Sequence, residues 1–219
     1  MAMFRNFTVP QKINIKSKHH QLKLMVNRGK ARVPTEAERK RLGIVTAAGS
    51  SALRNVAILA VSYRLGLRAK EIAALTVADV LDVRGDLHQE TTLRRTKGDK
   101  PRTAYLSNAT LRRELLAYLG ARRVEEGILF NPAAALFKSR KGGHFSPNTM
   151  QQLIHRLHAR AGINGGRSHS GRRWFATELI AKGTDLKAVS VLMGHSSVAM
   201  TAQYAEDNPQ RLRRIAAEL

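Results

Sequence analysis

The residues of this chain best suited to chemistry are two arginines, a lysine, two histidines and a late tyrosine. In chain order they are Arg68, Lys97, His169, Arg172, His195 and Tyr204. A guanidinium binds two phosphate oxygens at once and stays charged at any working pH, and two of them on one phosphate would stabilise a pentacoordinate transition state. A phenol, with a pKa of about 10, needs nearby cations or a base to attack at neutral pH. Together these residues could hold a phosphodiester and attack it with a tyrosine.

Local context favours these residues over similar ones elsewhere. Arg68 follows a Gly-Leu pair at an expected helix start, and His169 and Arg172 would share a helical face because they are three residues apart. Tyr204 lies in a run of small and polar residues. The other tyrosines are Tyr63, Tyr105 and Tyr118. They occur in apolar helix or strand patterns, which are typical of packed core tyrosines. For any one arginine in so basic a chain, the ordinary alternative is a surface charge.

Lys97 belongs to a predicted β-hairpin. Short strand patterns over residues 91–93 and 103–106 flank the turn pair Gly98-Asp99. A lysine at the hairpin tip can reach a leaving 5′ oxygen and donate a proton to it. The ordinary alternative for Lys97 is a solvated turn lysine, and Lys100 is its rival for the role.

The histidine pattern does not indicate a metal centre. A strong zinc site needs three or four ligands at suitable spacing, and the pair His19-His20 has no matching carboxylate or thiolate set. We interpret His155 and His158 as surface residues of an amphipathic helix. The chain has no cysteine, which excludes disulfides, thiolate zinc sites and cysteine nucleophiles. We therefore expect no metal and no other cofactor, because the arginines can do the electrostatic work of a metal ion.

The charge of the chain indicates a polyanionic partner. Its 219 residues include 38 Lys and Arg against 16 Asp and Glu, a net charge of +22. Nucleic acid is the first candidate partner, and an anionic membrane surface is the second. The ordinary alternative is a protein that is basic only for solubility, or because it associates with ribosomes. No apolar run approaches membrane-spanning length, so we expect a soluble intracellular protein without a membrane partner. Candidate DNA contacts are Lys12, Lys16, Lys18, Lys100, Arg102, Arg140 and Lys141.

Hydrophobic periodicity predicts a mixed fold, mainly α with a small antiparallel β-sheet. The predicted helices cover residues 53–63, 69–75, 108–120, 172–182 and 185–193, with one more beginning at Ser146-Pro147. A third short strand is predicted at Leu81 and Val83, ahead of the two that flank Lys97.

Residues 1–34 are rich in Lys and Arg and contain no acid, so we interpret them as an arm that tracks a phosphate backbone, with a solvated tail as the alternative. Thr35 is the expected cap of the first helix.

Taken in order, these motifs resemble those of the tyrosine recombinases, the phage-integrase-type site-specific recombinases. The matching segments are 66–75, 96–102, 136–143, 169–177 and 192–197, followed by Tyr204. The resemblance implies that family's catalytic-domain fold over residues 35–208, after the basic arm at 1–34. It also implies a helical tail at 209–219 that docks on a neighbouring protomer in trans. The apolar stripe of that tail is Leu212, Ile215 and Leu219.

The resemblance implies a mechanism as well. Tyr204 would attack a scissile phosphate of double-stranded DNA, form a 3′-phosphotyrosyl link and free a 5′ hydroxyl. The phosphate would be bound by Arg68, His169, Arg172 and His195. His169 would also assist proton transfer from the tyrosine, and Lys97 would act as general acid. Bond energy is conserved, so neither ATP nor metal is needed. The family acts as four protomers on two DNA sites, so we expect a homotetramer on DNA, cytoplasmic and nucleoid-associated when bound.

The chain departs from the family pattern in two places. Gly171 precedes the second arginine where the family usually has leucine, which weakens helix propensity but removes no reacting group. The arm at 1–34 stands where the family usually has a helical core-binding domain, so we expect a clamp open on one side, with weaker binding alone or an accessory protein. The remaining alternatives are a catalytically silent DNA-binding or regulatory relative and a type-IB-like topoisomerase.

Overall fold

A computed structural model describes residues 31–93, 101–206, 213 and 216–217, all within the unit Ala31–Leu219. The helices of the described residues are α1 (Glu36–Ala47), α2 (Ala52–Arg64), α3 (Ala69–Ala74), α4 (Ala109–Glu126), α5 (Pro147–Arg160), α6 (Ser170–Ala181), α7 (Leu186–Met193) and α8 (Ala199–Glu206). The strands are β1 (Glu90–Leu93) and β2 (Arg102–Tyr105), and single 3₁₀ turns cover Val77–Asp79 and Gly127–Leu129. This architecture confirms the predicted fold class.

Several sequence predictions concern residues outside this described part of the chain. They are the arm residues Lys12, Lys16 and Lys18, the hairpin residues Lys97 and Lys100, and the tail residues Leu212, Ile215 and Leu219. Their roles therefore stay predictions.

Local capping signals set most helix boundaries. Thr35 accepts from the backbone N–H of Glu38, and the Glu38 carboxylate accepts from the backbone N–H of Thr35, so α1 begins with a reciprocal capping box. Ser146 caps α5, and Pro147 occupies its first position, where a missing N–H does no harm. At the other end of a helix, Gly194 stops α7 with φ of +61°, a conformation that glycine adopts without a Cβ penalty.

Helix α2 runs through the centre of the fold and packs against α1, α4 and α6. Its residues Ala57, Ile58 and Val61 are almost wholly buried, as their helical spacing predicts. A second, smaller apolar cluster joins α6 to α7 through Ile180 and Met193. The two clusters hold α6 in place from both sides, and α6 begins beside the residues with catalytic potential.

Gly171 explains how closely α6 approaches α2. A Cβ at position 171 would clash with the Ser62 hydroxyl and would lie 3.0 Å from both the Ser62 carbonyl carbon and Tyr63 Cδ2. The glycine noted as a departure from the family pattern is therefore a close-packing residue, which lets α6 start directly against α2. A leucine in its place would push the two helices apart.

The sheet contains two antiparallel strands, paired from Glu90–Tyr105 to Leu93–Arg102. The third strand predicted at Leu81 and Val83 is wrong, because Leu81 forms only an isolated bridge with Leu87 around a tight turn. Strand β2 packs against α7 and buries Arg102 and Ala104 on that side. This contact brings the start of β2 under the end of α7.

Two predictions about exposure were also wrong. Tyr105 faces outward from β2 and is 51% exposed, whereas Tyr63 and Tyr118 are buried as predicted. His158 is not the surface residue that its helix pattern predicts: it is fully buried, and its Nε2 lies 2.8 Å from the Tyr63 hydroxyl. Burial lowers the pKa of His158, so a neutral imidazole pairs with that hydroxyl.

Candidate active site

Arg172 is the centre of the candidate site. It is 4% exposed and donates from Nη1 to the Gly66 carbonyl at 2.8 Å and from Nη2 to the Met193 carbonyl at 2.5 Å. One guanidinium therefore ties the turn before Arg68 to the turn before His195. Burial and the cations Arg68 and Arg102 lower the pKa of Arg172 to about 10, which still leaves it charged at neutral pH.

Arg68 lies immediately before α3 and is held there by Glu71. The Glu71 carboxylate accepts from the Arg68 backbone N–H at 2.6 Å and from its Nη1 at 3.1 Å. The Arg68 side chain remains 21% exposed, so it can also reach a ligand. Burial opposes ionisation of Glu71, but Arg102, Arg68 and Arg172 outweigh it, so the pKa of Glu71 lies below its usual value. The anion therefore persists at neutral pH and fixes the arginine.

His195 follows the turn that ends α7, and Tyr204 lies on α8. The His195 Nδ1 is 2.8 Å from the hydroxyl of Thr201, which is fully buried. The imidazole and the Tyr204 phenol stack with centroids 5.9 Å apart and planes 10° apart. Burial and the three cations Arg172, Arg68 and Arg102 lower the pKa of His195 to about 4, so the imidazole is neutral at neutral pH.

His169 immediately precedes α6, three residues before Arg172. It keeps solvent access, and partial burial together with Arg172 and Arg68 lowers its pKa. The same two arginines thus act on both site histidines. A neutral imidazole at an open edge of the site can accept a proton from a neighbouring hydroxyl.

Tyr204 is half-buried against the small apolar cluster of α6 and α7, unlike the buried core tyrosines. The Arg173 guanidinium lies 5.6 Å from the centre of its ring. The phenol thus combines partial solvent access with a neighbouring cation, and these surroundings suit a nucleophile better than those of the buried tyrosines do.

The structure brings together five of the six residues selected from the sequence. They are Arg68, His169, Arg172, His195 and Tyr204. Lys97, the sixth, lies outside the described residues. Of the candidate DNA contacts, Arg140 and Lys141 are exposed on the loop between Lys138 and His144.

Arg102 does not fit its expected role as a DNA contact. Its side chain is 6% exposed and is paired with Glu71 at 3.0 Å, so it faces the protein interior. Sequence reasoning also missed Glu71, Arg173 and Thr201. Glu71 could have been found, because it stands three residues after Arg68, the N-cap of α3, which is the capping-box spacing. No local signal pairs Arg102 with a residue 31 positions away.

Within the described residues, no group of three or more His, Asp or Glu side chains could hold a metal ion. Nor is any described helix both long and apolar enough to cross a membrane.

Comparison with known proteins gives a consistent result. Residues 32–211 match the family model described as the phage integrase family. Tyrosine recombinase XerD of Mycobacterium tuberculosis is 34% identical over 168 residues, which cover 76% of this chain and 52% of the relative. The chain spans about half the length of the curated relatives it matches.

Solved structures show the same likeness. The crystal structure of XerA recombinase superposes with a TM-score of 0.70 at 29% identity, covering 89% of this chain and 67% of that one. The XerH site-specific recombinase bound to palindromic difH substrate, a post-cleavage complex, has a TM-score of 0.64 at 24% identity over 85% of this chain and 53% of that one. At that identity the second likeness concerns the fold alone.

Proposed function

Since this chain belongs to the phage integrase family, we propose that it is a tyrosine site-specific recombinase. It cleaves and rejoins double-stranded DNA through a 3′-phosphotyrosyl intermediate. The observation that carries the proposal is the double anchorage of Arg172 on the carbonyls of Gly66 and Met193. That anchorage draws Arg68, His195 and the Tyr204-bearing helix around one space, which is what a phosphate-binding site for tyrosine attack requires.

Cleavage proceeds by in-line displacement at phosphorus. The Tyr204 oxygen forms a bond to phosphorus while the bond to the 5′ oxygen breaks, and the DNA 3′ phosphate remains on the protein. His169 accepts the phenolic proton, and Lys97 donates a proton to the departing 5′ oxygen. Rejoining reverses these steps, since a 5′ hydroxyl attacks the phosphotyrosyl phosphorus and the tyrosine leaves. Phosphodiester bonds are conserved in number, so no external energy source is needed.

The two arginines supply most of the stabilisation. The transition state at phosphorus carries more negative charge on its non-bridging oxygens than the ground state does, and Arg68 and Arg172 favour that charge. Arg172 is rigid because it is buried and held by two hydrogen bonds, so its guanidinium moves little during the reaction. Neutral His195 contributes a hydrogen bond to the phosphate without adding a third positive charge to the pair.

DNA is the partner we assign, and several protomers act together on it. The net charge of +22 favours a polyanion, and exposed Arg140 and Lys141 lie where a backbone phosphate can approach. The XerH neighbour is a complex with its difH substrate, which supports the same partner class. Exchange between two sites cuts both strands of both duplexes, which makes four cleavages. Each protomer supplies one nucleophile, so we assign a tetramer on two DNA duplexes.

A covalent trap tests the proposal. Nicked duplexes drawn from the DNA that flanks the coding sequence are incubated in EDTA with wild type, Tyr204→Phe and Tyr105→Phe. They are then resolved on a denaturing gel. Tyr105 is an exposed tyrosine on β2, so its variant is the matched control. We expect a DNA-linked band with wild type and Tyr105→Phe and none with Tyr204→Phe.

The other outcomes separate the alternatives. Intact DNA binding without any covalent band would indicate a silent binding relative. Relaxation of any supercoiled plasmid, without need for a partner site, would indicate a topoisomerase. An adduct that persists in Tyr204→Phe would show that another residue is the nucleophile.

A further inference from the structure

Arg102 is a buried charge whose position the sequence did not explain. It is the first residue of β2, and only 6% of its side chain is exposed. Burying a guanidinium is costly unless it is paired and hydrogen-bonded. The partners that compensate this cost therefore indicate what Arg102 does in the fold.

The first partner is Glu71. Arg102 donates from Nη2 to Glu71 Oε2 at 3.0 Å, and the same carboxylate holds both the backbone N–H and the guanidinium of Arg68. Glu71 is thus an anion shared by two arginines. Its orientation, and through it that of Arg68, depends on Arg102 at its far side.

The second partner is the end of α7. Arg102 donates from Nη1 to the Leu192 carbonyl at 2.5 Å, so it places a cation at the negative end of that helix. Its aliphatic stem packs directly under Gly194, where a Cβ would lie 3.1 Å from Arg102 Nε and would clash with Cδ. Arg102 therefore supports the turn from which His195 projects.

We infer that Arg102 is a positioning residue for the strand-cleavage reaction. It holds Arg68, through Glu71, and His195, through the Leu192 carbonyl, at the separation that one phosphate requires. It does not touch DNA itself. The inference rests on the proposed function, because it names a further residue of the same site.

Only arginine suits this position. Its planar fork presents separate donors to two acceptors in different directions, whereas lysine is a single compact charge. Lysine could keep the ion pair with Glu71 or the bond to Leu192, but not both in the same geometry. Methionine matches the stem but leaves the Glu71 anion without one of its two arginines.

The test compares Arg102→Met and Arg102→Lys with Arg122→Met. Arg122 is a similarly buried arginine, with 5% of its side chain exposed, that pairs with Glu126 and donates to the carbonyls of Ala135 and Leu136 on a different part of the fold. Its variant reproduces the structural loss of a buried ion pair without altering the contacts of the candidate site. Thermal melting identifies a temperature at which all variants are folded, and the remaining measurements are made there.

The first readout is single-turnover cleavage of nicked DNA alongside binding of uncleaved DNA. We expect Arg102→Met to slow cleavage about 100-fold, since misplacing a reacting group by about 1 Å has that effect. Its DNA affinity should stay within about twofold of wild type. Arg102→Lys should recover part of the rate, and Arg122→Met should cleave at the wild-type rate.

The second readout uses a 5′-bridging phosphorothiolate, whose sulfur leaves without needing a proton. We expect the substrate to rescue Lys97→Ala but not Arg102→Met, because Arg102 acts on the phosphate-binding groups. If the phosphorothiolate substrate also rescues Arg102→Met, the inference is wrong, and Arg102 acts instead through Lys97, the proton donor.

Three further outcomes would also overturn it. These are a large loss of DNA affinity at an unchanged cleavage rate, an equal loss of cleavage in Arg122→Met, and an unchanged rate in Arg102→Met. If Arg102→Met does not fold, the comparison of Arg102→Lys with wild type decides by the same criteria. A wild type that forms no covalent adduct would instead refute the proposed function, so the two failures are distinguishable.

Discussion

The His195 imidazole lies nearly parallel to the Tyr204 phenol, with ring centroids 5.9 Å apart and an interplanar angle of 10°. His195 is also hydrogen-bonded to Thr201, which lies on α8 one turn before Tyr204. The stack and the hydrogen bond together tie α8 to the end of α7. The position of the proposed nucleophile therefore depends on a histidine that we propose also binds the phosphate.

The protonation of His195 gives the first prediction. Its pKa is about 4 in the folded protein, against about 6.5 in the unfolded chain. Between these values the unfolded chain binds more protons, so stability falls as pH drops from about 6.5 towards 4 and is unaffected by this group above that range. Because the imidazole is only half-buried, we expect the loss to be about 1 kcal/mol rather than the full value of the shift.

Urea unfolding from pH 7.5 to 4.5 measures this loss. His195→Gln should weaken this pH dependence and leave the part that comes from His158 and His169, whose pKa values are also lowered. NMR titration of the imidazole carbons should show His195 neutral down to pH 5. A midpoint near 6.5 for His195 would contradict the prediction.

The Gly171 contact gives the second prediction. Gly171→Ala should destabilise the protein by about 1–3 kcal/mol, because the new methyl group overlaps Ser62 and forces α6 away from α2. Thermal or urea unfolding measures the effect. The matched control is Gly120→Ala on α4, where no atom lies within 4 Å of the new Cβ. That change should stabilise by up to about 1 kcal/mol through helix propensity. Equal signs for the two variants would contradict the packing argument.

The third prediction concerns the anchored arginine. Arg172→Lys should slow covalent cleavage about 100-fold or more, because an ammonium cannot bond to both Gly66 and Met193 and still present a fork to phosphate. Single-turnover formation of the DNA adduct measures the rate. Arg113→Lys, an exposed change on α4, is the control and should cleave like wild type. A cleavage rate within threefold of wild type for Arg172→Lys would argue against its role on the phosphate.

The fourth prediction concerns salt. DNA affinity should fall steeply with ionic strength, because each phosphate contact releases counterions. Arg140→Gln and Lys141→Gln should each reduce the slope of log affinity against log salt by about 1 if they contact phosphates. Lys40→Gln removes a charge that is already paired with Glu36 on α1 and should not change the slope. Unaltered slopes for both loop variants would remove that loop from the interface.

Much of the fold could be predicted because its signals are local. The caps Thr35, Ser146 and Gly194 act on backbone groups within one helical turn, so residue type and spacing are enough to place these helix ends. The core face of α2 follows from apolar residues at helical period, which require only that one side of the helix be buried. The failure at Leu81 has the same origin, since a short apolar alternation fits a turn-closing bridge as well as a strand.

By itself, the sequence determined the helical framework and the residue types that meet at the site, from Arg68 to Tyr204. It could do so because capping residues act within one helical turn and because the chemistry of a side chain depends on its residue type. The tertiary structure alone decided three other matters: that His158 is buried, that Gly171 is a packing requirement, and that Arg102 faces inward. Each of these depends on partners from 31 to 109 positions away, such as Glu71 for Arg102 and Ser62 for Gly171. Burial and ion pairing are properties of the assembled chain, so no local pattern encodes them.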